Sequence, residues 1–233
     1  TLIEDKFFSF NTDQDATFTS ENNNLITMKN VTFSGKVQYI ALGEYRDKGN
    51  YVAFRNDLTN VVAKNMIVDH PGITNVEPMD YMAPLFFLRG VSTLNNCIFT
   101  GTTTTSTGYK DHWEDMHEVV PYDCGVPNGC IATFNSCTID ALYAWSHSQI
   151  TINNSQLKHI RCSTHNHSEA DAHLTIGAGT VVDKIVVTSS ISGKYAKGED
   201  GKNHWIDDPN SRVAPKLIIK SGATVNVLDM NGR

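Results

Sequence analysis

Residues 150–157 read ITINNSQL and residues 132–139 read ATFNSCTI, and this pattern decides the fold. Two alternating apolar side chains lead to a small polar residue, and two more alternating apolar side chains follow it. Alternation places every second side chain on one face of a strand. The small polar residue turns the chain, because Asn tolerates left-handed backbone angles. The pattern therefore predicts two short strands joined by a corner, with one continuous apolar face.

The same pattern recurs along most of the chain. Further copies span residues 26–33, 61–68, 92–99, 174–182 and 217–227, the last two more loosely. The predicted corner residues are Asn30, Asn65, Asn96, Ser136, Asn154, Ala178 and Ser221. One corner cannot bury its apolar face alone, whereas stacked copies share a core and pair their backbones at about 4.8 Å per layer.

Stacking predicts which side chains share an inward column. The first expected column contains Val31, Met66, Cys97 and Cys137. The next contains Phe33, Val68, Phe99 and Ile139. A leucine-rich repeat would need a Leu framework that the chain lacks, and a β-sandwich would favour tight hairpins between neighbouring strands.

The repeat resembles the right-handed parallel β-helix superfamily that contains pectate lyases and polygalacturonases. This resemblance implies an all-β, single-stranded right-handed parallel β-helix solenoid of about seven coils, with three parallel sheets. One domain would then cover residues 1–233, with residues 1–20 as an N-terminal cap region. The resemblance is specific for fold and weak for function.

Long segments separate the repeats and are expected to be insertions. The strand that completes each coil should precede the repeat, at residues 51–55, 84–89 and 142–147. The insertions then cover residues 34–50, 69–83, 100–121 and 192–214, the last of them before the final coil. All would project from one edge of the solenoid. Insertions on one face often form a binding surface, although exposed corners also tolerate excursions without function.

Composition limits the class of partner. The net charge is −6, which argues against nucleic acid or an anionic membrane as the main partner. No apolar run approaches the roughly 20 residues that span a bilayer, so no transmembrane segment is expected. Abundant Asn, Thr and Ser with few Lys are common in exported proteins. We therefore expect a secreted or cell-surface protein whose signal or anchor segment is not present in this chain.

Aromatic and acidic residues concentrate in the insertions. Aromatic faces beside carboxylates suit carbohydrate, because a sugar stacks its apolar face on a ring while its hydroxyls need acceptors. Arg89 and His147 each lie seven residues before a corner Asn and should stack near one column. The expected ligand-binding residues are Trp113, Tyr109, Asp115, Arg89, His147 and Trp205. Each Trp could instead anchor its loop to the solenoid wall.

These patterns favour a non-catalytic, adhesin-like protein that binds polysaccharide or a cell-surface glycan. The alternatives are a polysaccharide lyase or glycoside hydrolase of the pectate-lyase-like superfamily, with unknown catalytic residues, and a purely structural surface module. We expect no cofactor and no metal site. The stretch from His165 to His173 contains alternating imidazoles and carboxylates, but neighbours on one strand face are about 6.6 Å apart, too wide for successive ligands.

The five cysteines leave two arrangements open. Cys97 and Cys137 each follow a corner residue and should point inward on neighbouring coils, either as free thiols or as a disulfide. Cys124 and Cys130 could close a small loop. An odd number excludes complete pairing within the chain.

Overall fold

The protein is all-β over the residues that its structure, a computed structural model, describes. These residues are 2–4, 8–10, 24–42, 54–69, 82–105, 109–110, 116–117, 120–127, 129–145, 147–163, 172–188, 190–199, 201, 203–213 and 215–230. Within these ranges the regular elements are strands, and no helix occurs. In chain order the strands are β1 (Leu2–Glu4), β2 (Phe8–Phe10), β3 (Asn24–Lys29), β4 (Thr32–Ser34), β5 (Lys36–Val37), β6 (Ile40–Leu42), β7 (Phe54–Thr59), β8 (Val62–Lys64), β9 (Ile67–Val68), β10 (Met82–Leu88), β11 (Val91–Asn95), β12 (Ile98–Thr100), β13 (Thr103–Thr104), β14 (Tyr109–Lys110), β15 (Met116–His117), β16 (Val120–Val126), β17 (Ile131–Asn135), β18 (Thr138–Ala144), β19 (Gln149–Asn153), β20 (Gln156–Ser163), β21 (His173–Ile176), β22 (Val181–Thr188), β23 (Ser190–Lys197), β24 (Asn203–Val213), β25 (Lys216–Ile219) and β26 (Thr224–Asp229).

The strands before the predicted corners form one parallel sheet, here called sheet I. It contains β3, β7, β11, β17, β19, β21 and β25, which pair in the order in which they occur along the chain. Alternation decides which side chains enter the core. In β17, for example, Ala132 and Phe134 are fully buried, whereas their neighbours Thr133 and Asn135 are only partly buried. This order of parallel strands is compatible with a β-solenoid.

The strands after the corners belong to a second parallel sheet of twelve strands, sheet II. Its upstream part contains two rows of strands. One row is β1, β4, β8 and β12, and the other is β2, β6, β10 and β16. Both rows meet in β18, which pairs with β12 at Thr138 and with β16 at Leu142. From β18 onward, through β20, β22 and β26, one long strand replaces two short ones.

A short third sheet fills the upstream part of the stack. It contains β5, β9 and β13, which are also parallel. A second corner with left-handed backbone angles precedes it in each layer, at Gly35, Asn65 and Gly101. In the part of the chain that the structure describes, this third sheet, called sheet III, occurs only in the layers where sheet II is divided into two rows.

The main corner is a ladder of left-handed residues, as the repeat predicts. Its backbone angles φ lie between 48° and 56° at the non-glycine residues. From Asn30 to Gly179, each corner amide donates to a carbonyl of the next layer; the Asn96 nitrogen, for example, lies 3.0 Å from the Asn135 oxygen. The ladder contains Asn30, Asn60, Asn96, Ser136, Asn154, Gly179 and Gly222.

The predicted corners at Asn65, Ala178 and Ser221 are wrong. Gly179 and Gly222, each one residue later, adopt the positive φ in the last two layers. Asn65 belongs to the second corner, and Asn60 takes its place in the main ladder. The apolar pattern concealed this shift because Asn56 occupies an inward position of β7, where its amide donates to the Arg89 carbonyl at 2.6 Å.

The shift also changes two predicted columns. Phe33 and Phe99 are both aligned with Ala63, and Phe99 is aligned with Ile139, so Val68 is not in that column. Val61, rather than Met66, lies beside Cys97, because the Ile98 amide donates to the Val61 carbonyl. Every side chain of the two predicted columns is nevertheless buried in the core, except that of Val31, which is partly buried.

The connecting segments adjoin strands of sheet II in the chain, but residues 43–53, 70–81 and 164–171 lie outside the described residues, so the single edge expected for the insertions stays a prediction. Residues 70–81 and 106–119 precede the sheet II strands β10 and β16, whereas residues 43–53 and 164–171 follow β6 and β20. Two antiparallel hairpins occur within such connections, β14–β15 and β23–β24, and the latter corresponds to the insertion predicted at residues 192–214. Of the strand predicted at residues 51–55, residues 51–53 lie outside the described residues, and Phe54 and Arg55 begin β7. β7 belongs to sheet I, so its predicted role as the strand before sheet I is wrong.

All five cysteines are free and buried. Cys97 and Cys137 occupy neighbouring layers of one inward column, as predicted, because Ile98 is aligned with Thr138. Burial raises the pKa of Cys130 and of Cys162 to about 12. These thiols are therefore protonated parts of the core at neutral pH.

Replacing the corner residue Asn96 by Ala should lower the free energy of unfolding by about 1–2 kcal/mol, because Cβ makes a left-handed angle unfavourable for Ala. Asn96→Gly should retain about 1 kcal/mol more than Asn96→Ala, because Gly has no Cβ. Urea titration of both variants checks this. Equal stability of the two would contradict a left-handed corner at this residue.

Removing the ring of Phe99 should cost about 3–5 kcal/mol of stability. This ring is fully buried and stacks on Phe86 with centroids 4.5 Å apart. The control is Ile67→Ala, at an exposed side chain, which should change stability by less than about 0.5 kcal/mol. Similar losses in the two variants, measured by denaturant titration, would show that Phe99 is not a core residue.

Candidate functional site

The structure describes the six expected ligand-binding residues to different extents. Trp113 and Asp115 lie outside the described residues. Tyr109 and Trp205 are described through their backbones alone. Tyr109 lies opposite His117 in the β14–β15 hairpin, and Trp205 lies opposite Tyr195 in the β23–β24 hairpin. The binding role of all four stays a prediction.

Arg89 and His147 lie at the corner that leads from sheet II back to sheet I. Arg89 directly follows β10, and His147 has a positive φ of 56° in the turn between Trp145 and Ser148. Hydrogen bonds align Gly90 with Cys130 and Cys130 with Ser148. Arg89 and His147 therefore occupy equivalent places two layers apart, at about 10 Å along the stack. Their binding role also remains a prediction.

Next to Arg89 lies a group of aromatic side chains that the sequence argument missed. We call it the aromatic band; it consists of Phe87, Tyr122, Tyr143 and Trp145. Alternation in β18 turns Leu142 and Ala144 into the core, so Tyr143 points to the other face of sheet II. The band forms a cluster separate from the main core, apart from Phe87, which adjoins it.

The rings of the band pack edge to face. The centroids of Tyr143 and Trp145 are 4.9 Å apart at an interplanar angle of 68°, and those of Tyr122 and Tyr143 are 5.4 Å apart at 61°. Such geometry is favourable because the positive edge of one ring meets the negative face of the next. Trp145 is 6% exposed. The rings of the band are thus packed against one another and largely buried.

A missing side chain interrupts the band. Gly125 lies in register between Phe87 and Tyr143, where every other layer of this column carries a Cβ. A Cβ at Gly125 would lie 3.1 Å from the Pro84 ring, closer than ordinary contact. The result is a small, wholly apolar depression lined by Pro84, Phe87, Gly125, Val126, Pro127, Tyr143 and Trp145.

Basic side chains border the band. The Arg89 guanidinium carbon lies 5.7 Å from the centroid of the Phe87 ring, within the range of a cation–π interaction. Arg161 is aligned with Tyr143 and hydrogen-bonds to Tyr122. His159 lies beside Tyr122, with ring centroids 6.3 Å apart. The band therefore combines largely buried aromatic rings with charged donors at its border.

Burial sets the protonation of the groups around the band. It raises the pKa of Tyr122, an effect that the neighbouring Arg161 partly offsets. Burial lowers the pKa of His159, and the positive charges of Lys184 and Arg161 lower it further. Both groups are therefore neutral near pH 7, and the positive charge at this border comes from the arginines.

A buried carboxylate lies behind the band, at the point where the two rows of sheet II merge. Asp123 is 1% exposed, and its oxygens accept hydrogen bonds from the Thr102 amide and hydroxyl and from the Ala141 amide, the last at 2.7 Å. Burial nevertheless raises the pKa of Asp123, because these hydrogen bonds offset only part of the desolvation. Asp123 thus accepts hydrogen bonds from the backbone amides of Thr102 and Ala141, which lie where the row of β1, β4, β8 and β12 ends and which would otherwise lack partners.

The structure tests some chemical alternatives within its described residues. There, no group of three or more His, Cys, Asp or Glu side chains is placed to hold a metal ion. Residues 165–171 of the His-rich stretch lie outside the described residues, and His173 is an exposed residue of β21. The same described ranges contain no helix that is long and apolar enough to cross a membrane.

Comparison with known proteins assigns no family. No protein-family model matches the chain, and neither the curated proteins nor the solved structures gave a match. The geometry of the band is therefore the basis for a functional proposal.

Two sequence signals could have revealed the aromatic band. Residues 84–89 and 142–147 were each predicted as strands, and alternation within them separates Phe87 from Phe86 and Tyr143 from Leu142. Gly125 in the layer between them gives no such signal, because no strand is predicted around it; the expected insertion ends at residue 121. The band depends on the register of three strands, which spacing alone did not supply.

Replacing Asp123 by Asn should remove one component of the pH dependence of stability. Because the folded protein holds the pKa of Asp123 above its ordinary value, the folded state binds the proton more tightly than the unfolded state. Ionisation therefore lowers the free energy of unfolding as the pH rises from about 3.8 through the raised pKa. Urea unfolding between pH 4 and pH 8 should show this decrease for the native protein and a smaller one for Asp123→Asn. An equal decrease in both would contradict the assignment.

Proposed function

We propose that this protein is a non-catalytic, secreted or cell-surface β-solenoid that binds polysaccharide or a cell-surface glycan along the aromatic band. The observation that carries the proposal is a packed row of aromatic rings, interrupted by an apolar depression at Gly125 and bordered by Arg89 and Arg161. The stacked parallel sheets support the further proposal of a right-handed β-helix with about seven coils, similar to the pectate-lyase-like superfamily.

The connections of the fold support this location. Residues 70–81 and 106–119 directly precede the strands β10 and β16 in the chain, and residues 43–53 and 164–171 directly follow β6 and β20. Tyr109, Trp113 and Asp115 belong to one of these connections. Connections next to a rigid scaffold commonly contribute to a binding surface, because loops supply variable contacts.

The chemistry of the band suits a sugar. The apolar face of a pyranose can pack on aromatic rings, while its hydroxyl or carboxylate oxygens accept hydrogen bonds from guanidinium groups. Arg89 and Arg161 are both only partly buried, and the proposal assigns the contact with the ligand to their guanidinium groups. The rings of Phe87, Tyr143 and Trp145 are largely covered, and binding would use their exposed edges and the depression at Gly125.

No observation in the described residues favours the lyase or hydrolase alternative. The carboxylate nearest to the band, Asp123, is buried and engaged by three donors. A general acid or base must come within hydrogen-bonding distance of the substrate, which this position does not allow.

Replacing Arg89 by Gln should weaken binding of a glycan identified on an array by about tenfold or more, because a charged hydrogen bond is lost. Lys29→Gln is the matched control, since it removes the same charge from an exposed residue of sheet I. Titration calorimetry with the glycan measures both affinities. Normal affinity of Arg89→Gln with weaker binding of Lys29→Gln would place the ligand on the opposite wall, and the absence of any bound glycan would reject the proposal.

Trp113→Ala should also weaken binding, by about fivefold, since loss of a stacking ring typically costs about 1 kcal/mol. The melting temperature should remain nearly unchanged. A large decrease in melting temperature with intact affinity would show instead that Trp113 anchors its loop.

A further inference from the structure

The depression at Gly125 lies in the middle of the aromatic band, on the outer face of sheet II. Gly125 is in register with Phe87 in the layer before it and with Tyr143 in the layer after it. Both neighbours carry a ring at this position, so the missing side chain leaves a gap with an aromatic wall on two sides. The gap has a volume of about 10 Å³, which is the space of one methyl group or one water molecule.

Water is a poor occupant of this gap. The surface that the depression presents is entirely apolar. A buried water molecule makes about two to four hydrogen bonds with polar groups, and a cavity without such groups tends to stay dry. A methyl group needs no hydrogen-bond partner and is stabilised when it leaves water. The size and the polarity of the depression together select an apolar group of one carbon atom.

We propose that the ligand of the aromatic band is a sugar that carries a methyl group, and that this methyl group enters the depression at Gly125. The inference rests on the proposed glycan-binding function and names the ligand class of the same site. Two classes of sugar supply such a group at the edge of a pyranose ring. In 6-deoxyhexoses it is the terminal carbon, and in N-acetylated hexosamines it is the end of the acetamido group.

The charged border of the depression favours a sugar over a hydrocarbon chain. Phe87 lines the gap, and the Arg89 guanidinium carbon lies 5.7 Å from the centroid of the Phe87 ring. A hydroxyl group or an acetamido carbonyl beside the methyl group is an acceptor for this charged donor. A hydrocarbon chain would displace water from the guanidinium group without replacing its hydrogen bonds, which is unfavourable.

The depression depends on the absence of a single Cβ atom. A Cβ at Gly125 would lie 3.1 Å from Cγ of Pro84, and Pro84 itself lines the depression. Alanine at this position would therefore place its methyl group in the space that we assign to the sugar. Gly125→Ala is for this reason a direct competitor of the ligand rather than a general disturbance of the band.

Saturation-transfer difference NMR of the whole chain with matched sugars tests the proposal. The first pair is L-fucose and L-galactose, which differ by one hydroxyl group on the terminal carbon. The second pair is N-acetyl-D-glucosamine and D-glucose. We expect the methyl-bearing member of at least one pair to bind about tenfold more tightly than its partner, because the apolar gap accepts a methyl group and leaves a hydroxyl group without a partner. Its methyl protons should receive the strongest saturation, and the pair that shows the preference identifies the class of sugar.

Gly125→Ala should remove this preference by weakening the methyl-bearing sugar about tenfold, with little change for its partner. The matched control is Gly201→Ala, in the exposed turn between β23 and β24, where an added Cβ has no atom within 4 Å. This control should keep the preference, although its φ of 75° makes alanine locally unfavourable. Thermal melting shows whether each variant folds, and the comparison of sugars on the native chain needs neither variant.

Three results would overturn the inference. These are equal binding of the two members of both pairs, an unchanged preference in folded Gly125→Ala, and binding of none of the four sugars. The proposed function is decided separately, by the glycan array and by Arg89→Gln. A glycan that binds through Arg89 but shows no methyl preference would reject the methyl site and leave the proposed function intact.

Discussion

The structure depends on one backbone constraint, which is that every layer turns through a left-handed residue at the same place. Asn, Ser and Gly supply this conformation from Asn30 to Gly222, and each corner amide from Asn30 to Gly179 donates to a carbonyl of the next layer. When the corner residues of neighbouring layers are aligned, the strands before and after them are in register as well. Because side chains alternate between the two faces of a strand, this register decides which side chains point into the core. The apolar columns, the shared core and the outer surfaces all follow from this alignment.

Alignment also explains which side chains became available for function. Once Leu142 and Ala144 are fixed in the core, Tyr143 must lie on the outer face, and the same argument places Phe87 beside Arg89. The merging of two strand rows at β18 also requires hydrogen-bond acceptors for backbone amides at the junction. It leaves the Thr102 and Ala141 amides without strand partners, and the buried carboxylate of Asp123 accepts hydrogen bonds from both. One polar residue thus joins two strand arrangements.

The sequence predicted the parallel all-β architecture because the corner pattern is local. Asn96, Ser136 and Asn154 lie at the ends of alternating apolar stretches, and the structure places them as expected. The prediction failed where a polar residue points inward, at Asn56, so that Asn65 was mistaken for the corner of its layer. It also missed the aromatic band, since the band depends on the register between strands whose aligned residues, Phe87 and Gly125, are 38 residues apart. Of the expected site residues, Arg89 and His147 could be located with their side chains, and both lie at one corner of the fold.

The register of sheet I is the central claim, and methyl nuclear Overhauser contacts test it most directly. The structure aligns Ile150 with Ala132 on one side and with Leu174 on the other. Because the strands are about 4.8 Å apart, the methyl groups of Ile150 should show strong contacts to both residues. Strong contacts from Ile150 to other strands, without those to Ala132 and Leu174, would contradict the stacked parallel register.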